Sequence, residues 1–151
     1  MHPIDEFDKK IISILNKDGR MSFLNISKEL GVSNTMVHQR VNKLIDKGII
    51  TSIQPILDEK KMGYDLSSFT GITLEKDYVH GTVIEALKKI PEVTECYFVA
   101  GDYTFFLRVV AKNSDDLREL LYEKIDKIPG VYKTVSMIDF GCAFKRNVKV
   151  E

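Results

Sequence analysis

Over the first fifty positions, apolar residues recur at helical spacing. Ile4, Phe7, Ile11, Ile14 and Leu15 fall on one face of a helix. Asp5, Glu6 and Asp8 sit in its first turn, where the macrodipole favours negative charge, and Asp18-Gly19 ends it. A second helix is predicted from Ser22, a suitable N-cap, through Ile26 and Leu30 to Gly31, a suitable left-handed stop. A third opens at Ser33 with Val37, Val41 and Leu44 along its buried stripe and stops at Lys47-Gly48. Val32 and Val37 occupy the two positions of a hydrophobic staple at its start. The β-branched run at residues 49–53, Ile-Ile-Thr-Ser-Ile, reads as a strand.

Between residues 55 and 68 the pattern changes, and downstream the segments alternate in type. Residues 69–75 read as strand, 79–90 as helix, 93–100 and 103–111 as strands, 115–128 as helix and 131–140 as strand. Ile90-Pro91-Glu92-Val93 is echoed by Ile128-Pro129-Gly130-Val131, each marking a helix that ends before Pro and a strand that opens at Val. Two strand–helix–strand copies give βαββαβ, the ferredoxin-like plan. The fold class is therefore α+β. A helix-turn-helix domain of winged-helix-like character covers 1–54, a linker 55–67, and a ferredoxin-like effector-binding and oligomerisation domain 68–151.

Charge narrows the function classes. The chain has 151 residues with 22 Lys and Arg against 22 Asp and Glu, which excludes a tail-driven polyanion binder but not a local basic patch. No apolar run approaches the roughly 20 residues that cross a bilayer. The acidic opening Met-His-Pro-Ile-Asp-Glu is not that of a signal peptide. Cys96 and Cys142 make no disulfide framework. The expectation is a soluble, cytoplasmic protein.

Two helices joined by Gly31-Val32-Ser33 have the turn chemistry of a helix-turn-helix. At ~100° per residue, the face opposite the third helix's buried stripe collects Thr35, Gln39, Asn42 and Lys43, flanked by His38 and Arg40. That set is rich in donors and carries no carboxylate, as a helix entering the major groove requires. Residues 33–47 hold Arg40, Lys43 and Lys47 against Asp46 alone. The same pattern also fits a solvated face of any three-helix domain. His38 has no second ligand at metal-binding spacing, so no metal site is expected.

Strand 103–111 is apolar on both faces: Phe105, Leu107 and Val109 on one, Phe106 and Val110 beside Arg108 on the other. Two helices cover one side of a four-stranded sheet, so the second side is expected to be covered by another copy of the chain. Pairing would also serve a site-specific regulator, since two reading heads multiply affinity. The rival use of this plan, single-stranded RNA recognition, needs a basic, Gly-containing aromatic strand, whereas Gly101-Asp102-Tyr103-Thr104-Phe105 opens on an acid. No P-loop, dinucleotide fingerprint, nucleophile elbow or His-Glu-x-x-His motif is present, so no enzyme and no cofactor are expected. At the turn 100–103, Gly101 permits close backbone approach, and Asp102, Thr104 and nearby amides could meet both ends of an amino acid. A plain strand-connecting turn uses Gly and Asp equally well.

The chain resembles the Lrp/AsnC family of bacterial and archaeal transcription regulators, also called feast/famine regulatory proteins. The resemblance rests on Ile-Asp-Glu-Phe-Asp-Lys-Lys-Ile at 4–11, Gly31-Val32-Ser33, Val-His-Gln-Arg-Val-Asn-Lys-Leu at 37–44 and Lys47-Gly48-Ile49-Ile50. It continues in Pro-Glu-Val-Thr-Glu-Cys-Tyr at 91–97, Gly101-Asp102-Tyr103 and Leu-Arg-Val-Val ending at Val110. It implies dimers formed through the sheets, further assembly often to octamers, and amino acids bound at the dimer–dimer contact. Carried over by position, it implies a DNA-binding helix at 33–45 that includes Ser33, Asn34, Thr35, His38, Gln39, Arg40, Asn42 and Lys43. It likewise implies an effector region of Gly101, Asp102, Tyr103 and Thr104 with Thr134 and Ser136 of the last strand. Many relatives have Asp or Asn where this chain has Thr104, so the usual ligand set is altered.

Overall fold

The computed structural model describes residues 4–76 and 79–150, so Met1, His2 and Pro3 of the acidic opening lie outside the described residues. The chain forms two compact units, one of residues 4–56 together with 145–150, the other of residues 57–144.

The first unit is built on α1 (Glu6–Lys17), α2 (Phe23–Leu30) and α3 (Asn34–Asp46). Each start is capped by the side chain that the pattern singles out or its neighbour. Asp5 accepts from the Asp8 amide at 2.8 Å, Ser22 from Asn25 at 3.2 Å and Ser33 from Met36 at 3.2 Å. Gly31 ends α2 at φ 67°, a conformation that other residues enter only with strain. Ile11, Ile14, Ile26, Val37 and Val41 close into one core. Across it, Arg40 of α3 reaches Asp5 at 2.5 Å and Asp8 at 3.1 Å, with its guanidinium 5.6 Å from the centre of the Phe7 ring. The strand expected at 49–53 does not form. Its residues have no ladder partner among the described residues, and a lone β-branched segment cannot satisfy its backbone as a strand.

The second unit has one antiparallel sheet of β1 (Leu66–Leu74), β2 (Val93–Phe98), β3 (Phe105–Ala111) and β4 (Val131–Asp139), in the order β2-β3-β1-β4. With α4 (His80–Leu87) and α5 (Ser114–Glu119) between strands, this is the ferredoxin-like plan. The sequence echo is repeated in geometry: the Val93 amide donates to Ile90 and the Val131 amide to Ile128, both at 3.0 Å. The helix after β3 is not uniform, because α5 continues as a π-helical turn over Leu120–Ile125. In a regular α-helix Lys124 would sit inward beside Leu120. The wider turn brings Ile125 into the core and leaves Lys124 exposed.

The sheet register settles the two faces. Phe105, Leu107 and Val109 pack under the helices against Val83, Leu87, Leu117 and Ile125. Gly71 and Phe69 lie opposite Phe106 and Arg108, so these share the other face. There Phe69 and Phe106 stack at 5.9 Å, and the Tyr103 ring lies over Gly71. Arg108 is held by Glu59 through two hydrogen bonds of 2.6 and 2.7 Å and faces Asp139 at 3.8 Å. That pairing ties the turn around residues 58–63 to the sheet, so the segment 57–65 that precedes β1 belongs to this unit.

Two predictions follow from these contacts. The Asp8 amide and the Arg40 guanidinium hold the Asp5 carboxyl below its ordinary value, so its stabilising effect is full at neutral pH and is lost as pH falls through the lowered value. Thermal unfolding should show Arg40→Met below the wild type at pH 7, with the gap closing below about pH 4; a gap independent of pH would contradict the pairing. Separately, a Cβ on Gly71 would stand 2.6 Å from Tyr103 ring carbons. Gly71→Ala should cost about 1–3 kcal/mol in urea unfolding. Adding Tyr103→Ala should remove most of that penalty, a coupling that a double-mutant cycle measures.

Candidate DNA interface and effector region

On α3 the buried stripe and the polar face stand opposite one another. Val37 and Val41 are fully buried and Leu44 nearly so, while Thr35, Gln39, Asn42 and Lys43 are exposed. Asn34 is exposed in the first turn, and Ser33 caps the helix through its hydroxyl. His38 is exposed but rests edge-on against Phe23, with ring centres 4.6 Å apart. Its ring therefore also fixes the packing of α2 on α3. Arg40 differs from the rest. Its guanidinium turns toward Asp5 and Asp8, and their hydrogen bonds and charges hold it firmly protonated. The acid-free face thus consists of amides, hydroxyls, His38 and Lys43, with Arg40 engaged inside its own unit.

In the second unit, the turn 101–104 joins β2 to β3 at the end of β1. The Thr104 amide donates to the Ile72 carbonyl at 2.7 Å, and the Thr73 hydroxyl donates to the Asp102 carbonyl at 3.2 Å. Gly101 takes φ 130°, which only glycine adopts freely. Asp102 is exposed, Thr104 is half-buried, and Tyr103 is turned back over the sheet.

Thr134 and Ser136 lie elsewhere, on the helix-side face of β4. They line a groove of about 410 Å³ with Leu121, Tyr122, Asp126 and Tyr132, and none of residues 101–104 reaches it. The Thr134 hydroxyl donates to Asp126 at 2.6 Å, and Ser136 shares a 2.9 Å hydrogen bond with buried Thr70. Within one chain the structure therefore gathers Thr134 with Ser136, and Gly101 with Asp102 and Thr104, but not the two sets together. Asp126 and Tyr122 were not legible as groove residues in the sequence, because the π-helical turn sets which side chains face β4. No cluster of His, Cys, Asp and Glu suited to a metal ion exists among the described residues. Cys96 and Cys142 are both free and on the surface, and partial desolvation raises the Cys96 thiol pKa, away from reactive thiolate.

Comparison with known proteins places both units. Residues 4–51 match the family described as winged helix-turn-helix DNA-binding, and residues 67–141 match the Lrp/AsnC ligand binding domain. The regulatory protein AsnC of Haemophilus influenzae is 36% identical over 149 residues, covering 99% of both chains. The structure of Escherichia coli AsnC superposes with a TM-score of 0.88 at 31% identity, over 98% of this chain and 99% of that one. The regulator NMB0573 of Neisseria meningitidis, solved as a complex with L-Met, shares the fold at TM-score 0.87 and 19% identity, over 95% of this chain and 94% of that one. Two domain families matched in order along a chain that aligns end to end with an AsnC regulator leave one assignment: the protein belongs to the Lrp/AsnC family of transcriptional regulators.

Proposed function

We propose that this regulator reads duplex DNA through Thr35, Gln39, Asn42 and Lys43 of α3. Asn34, His38 and the Ser33-capped helix start would position the helix on the backbone. The observation that carries the reading is the exposed, carboxylate-free face set opposite a fully buried stripe. Amide side chains there can make paired hydrogen bonds to base edges, and helix N-terminal amides can meet a phosphate. Arg40, named among the DNA-contacting residues by position, serves here to hold α1 against α3.

The second unit is the partner-binding half. Its open sheet face carries Phe69, Phe106, Tyr97 and Met137, the last two about half exposed, at 53% and 50%. Residues 57–144 hold eleven Lys and Arg against fifteen Asp and Glu, so this aromatic face is ill suited to a polyanion such as RNA and well suited to a second copy. We read the protein as a cytoplasmic homo-oligomer, a dimer at least and an octamer by family resemblance, with no catalytic role. An amino-acid effector would bind between subunits, its ammonium at Asp102 and its carboxylate at backbone amides and the hydroxyls of Thr104, Thr134 and Ser136. Thr104 supplies no charge, which disfavours a ligand with a cationic side chain.

Selection of bound duplexes from a random pool should return a two-fold symmetric site. Gln39→Ala should then relax preference at one or two base pairs and cost about 1–3 kcal/mol there. Unchanged affinity and unchanged selected sequence would move the reading face off Gln39. The effector is tested by titrating the twenty amino acids, L-methionine included, following heat together with sedimentation. A ligand that binds at the turn should weaken at least tenfold in Asp102→Ala and shift the oligomer distribution of the wild type. Full affinity in Asp102→Ala would put the ammonium elsewhere, with the Asp126 groove the next place to substitute. No binding at millimolar concentration would leave a DNA binder without an amino-acid effector.

A further inference from the structure

The second unit holds a groove of about 220 Å³ that shares no residue with the turn 101–104 or with the groove beside β4. Glu92 lines it from the turn before β2 and Lys112 from the end of β3. Asp116 and Glu119 of α5, Lys124 of the π-helical turn and Tyr64 from the segment before β1 complete it. Three of these side chains are acids and two are lysines. Yet no opposite pair among them comes within 4.0 Å, and neither lysine has another carboxylate partner among the described residues. Glu92 is fixed through its backbone, whose carbonyl accepts from the Val110 amide at 2.9 Å. Its carboxylate oxygen Oε2 is shut off from solvent and accepts no hydrogen bond. Lys124 reaches the groove because the π-helical turn gives its inward place to Ile125. Such turns occur frequently at functional sites.

We infer that this groove is a second small-molecule site, built within a single chain, and that it takes an amino acid with a cationic side chain. A buried carboxylate oxygen without a donor is unfavourable, and an ammonium group is the donor that matches its charge. The terminal torsion of a Glu side chain is soft, so either oxygen of Glu92 can turn to a ligand. Three acids against two lysines leave the groove one charge negative. L-lysine brings the complementary set: two ammonium groups for Glu92 and the α5 acids, and one carboxylate for Lys112 and Lys124. A neutral side chain would leave an acid unmatched, and a plain diamine would leave both lysines so. The volume lies below that of sites for drug-sized ligands and suits a molecule of amino-acid size. The site goes beyond the effector reading above and differs from it in preference, since Thr104 disfavours a cationic side chain at the turn.

The test titrates the full chain calorimetrically with L-lysine, with L-norleucine, which lacks the second ammonium, and with 1,5-diaminopentane, which lacks the carboxylate. The wild type should bind L-lysine, and each analogue should bind about tenfold or more weakly. Glu92→Gln should weaken L-lysine by about tenfold or more, as should Lys112→Gln combined with Lys124→Gln. Asp102→Ala should leave L-lysine affinity unchanged. Both lysines are exposed, so their variant should unfold with the wild type in a thermal scan, and its lost affinity is then not lost folding. No heat from L-lysine at millimolar concentration would overturn the inference, as would equal affinity for L-lysine and L-norleucine. Unchanged affinity in both the Glu92 and the two-lysine variants would overturn it too. L-lysine binding lost in Asp102→Ala but kept in Glu92→Gln would overturn it in favour of the turn. A wild type that binds L-lysine through Glu92, and no amino acid through Asp102, would instead overturn the effector reading alone, so the two failures are distinguishable.

Discussion

β3 carries large side chains on both sides of the sheet, and only one side has helices to meet them. Phe105, Leu107 and Val109 disappear beneath α4 and α5, and each is fully buried. Phe106 faces the other way, stacked on Phe69 and bordered by Tyr97 and Met137. At about 25 cal/mol per Å² of apolar surface, leaving such a face wet forfeits several kcal/mol. The turn at residues 58–63, pinned by Glu59 to Arg108, meets this need only at one end of the sheet. The remainder favours a second sheet of the same kind, which is why the proposed assembly and the fold have a common cause.

Both units use an arginine in the same way. Arg40 draws in Asp5 and Asp8 from the first helix, and Arg108 draws in Glu59 from the segment that enters the sheet. In each case a guanidinium on a central element fixes the incoming chain. Arg108 also resolves an oddity of β3, a cation in an otherwise apolar strand: a half-buried charge persists where it is paired and hydrogen-bonded. For DNA binding the consequence is indirect. A cation that would look available on the α3 helical wheel is already neutralised.

Much of this was legible in the sequence because local signals suffice for it. Ser22, Ser33 and Gly31 act through atoms two or three residues away, and the Ile-Pro-x-Val echo encodes a turn closed by its own backbone. The parts that escaped depend on distant partners. Residues 49–53 have strand propensity but find no ladder partner. The π-helical turn at Leu120–Ile125 follows from which side chain the core accepts, a property of the sheet it packs on. Thr134 and Ser136 were grouped with the turn 101–104 by family resemblance, yet they sit on the helix-side face of β4, one with Asp126 and the other with Thr70. Residues 145–150 carry no periodicity, yet they cluster with the first unit, where the Asn147 side-chain amide donates to the Asn16 side chain at 3.0 Å.

The separation of the two candidate ligand regions bears on how a small molecule could act at all. The turn offers Asp102 and backbone amides beside Gly101, while the groove offers Asp126 and hydroxyls whose lone pairs still accept after their protons are donated. A ligand satisfied by one chain alone would use half of these groups and would have no reason to favour any assembly. If one copy's turn and another copy's groove contribute together, the ligand binds only the assembled state and stabilises it in proportion to its occupancy. The same linkage runs in reverse, so assembly on adjacent DNA sites raises ligand affinity by the same factor. A regulator built this way needs no conformational relay between its units, because the number of reading heads held together is itself the signal.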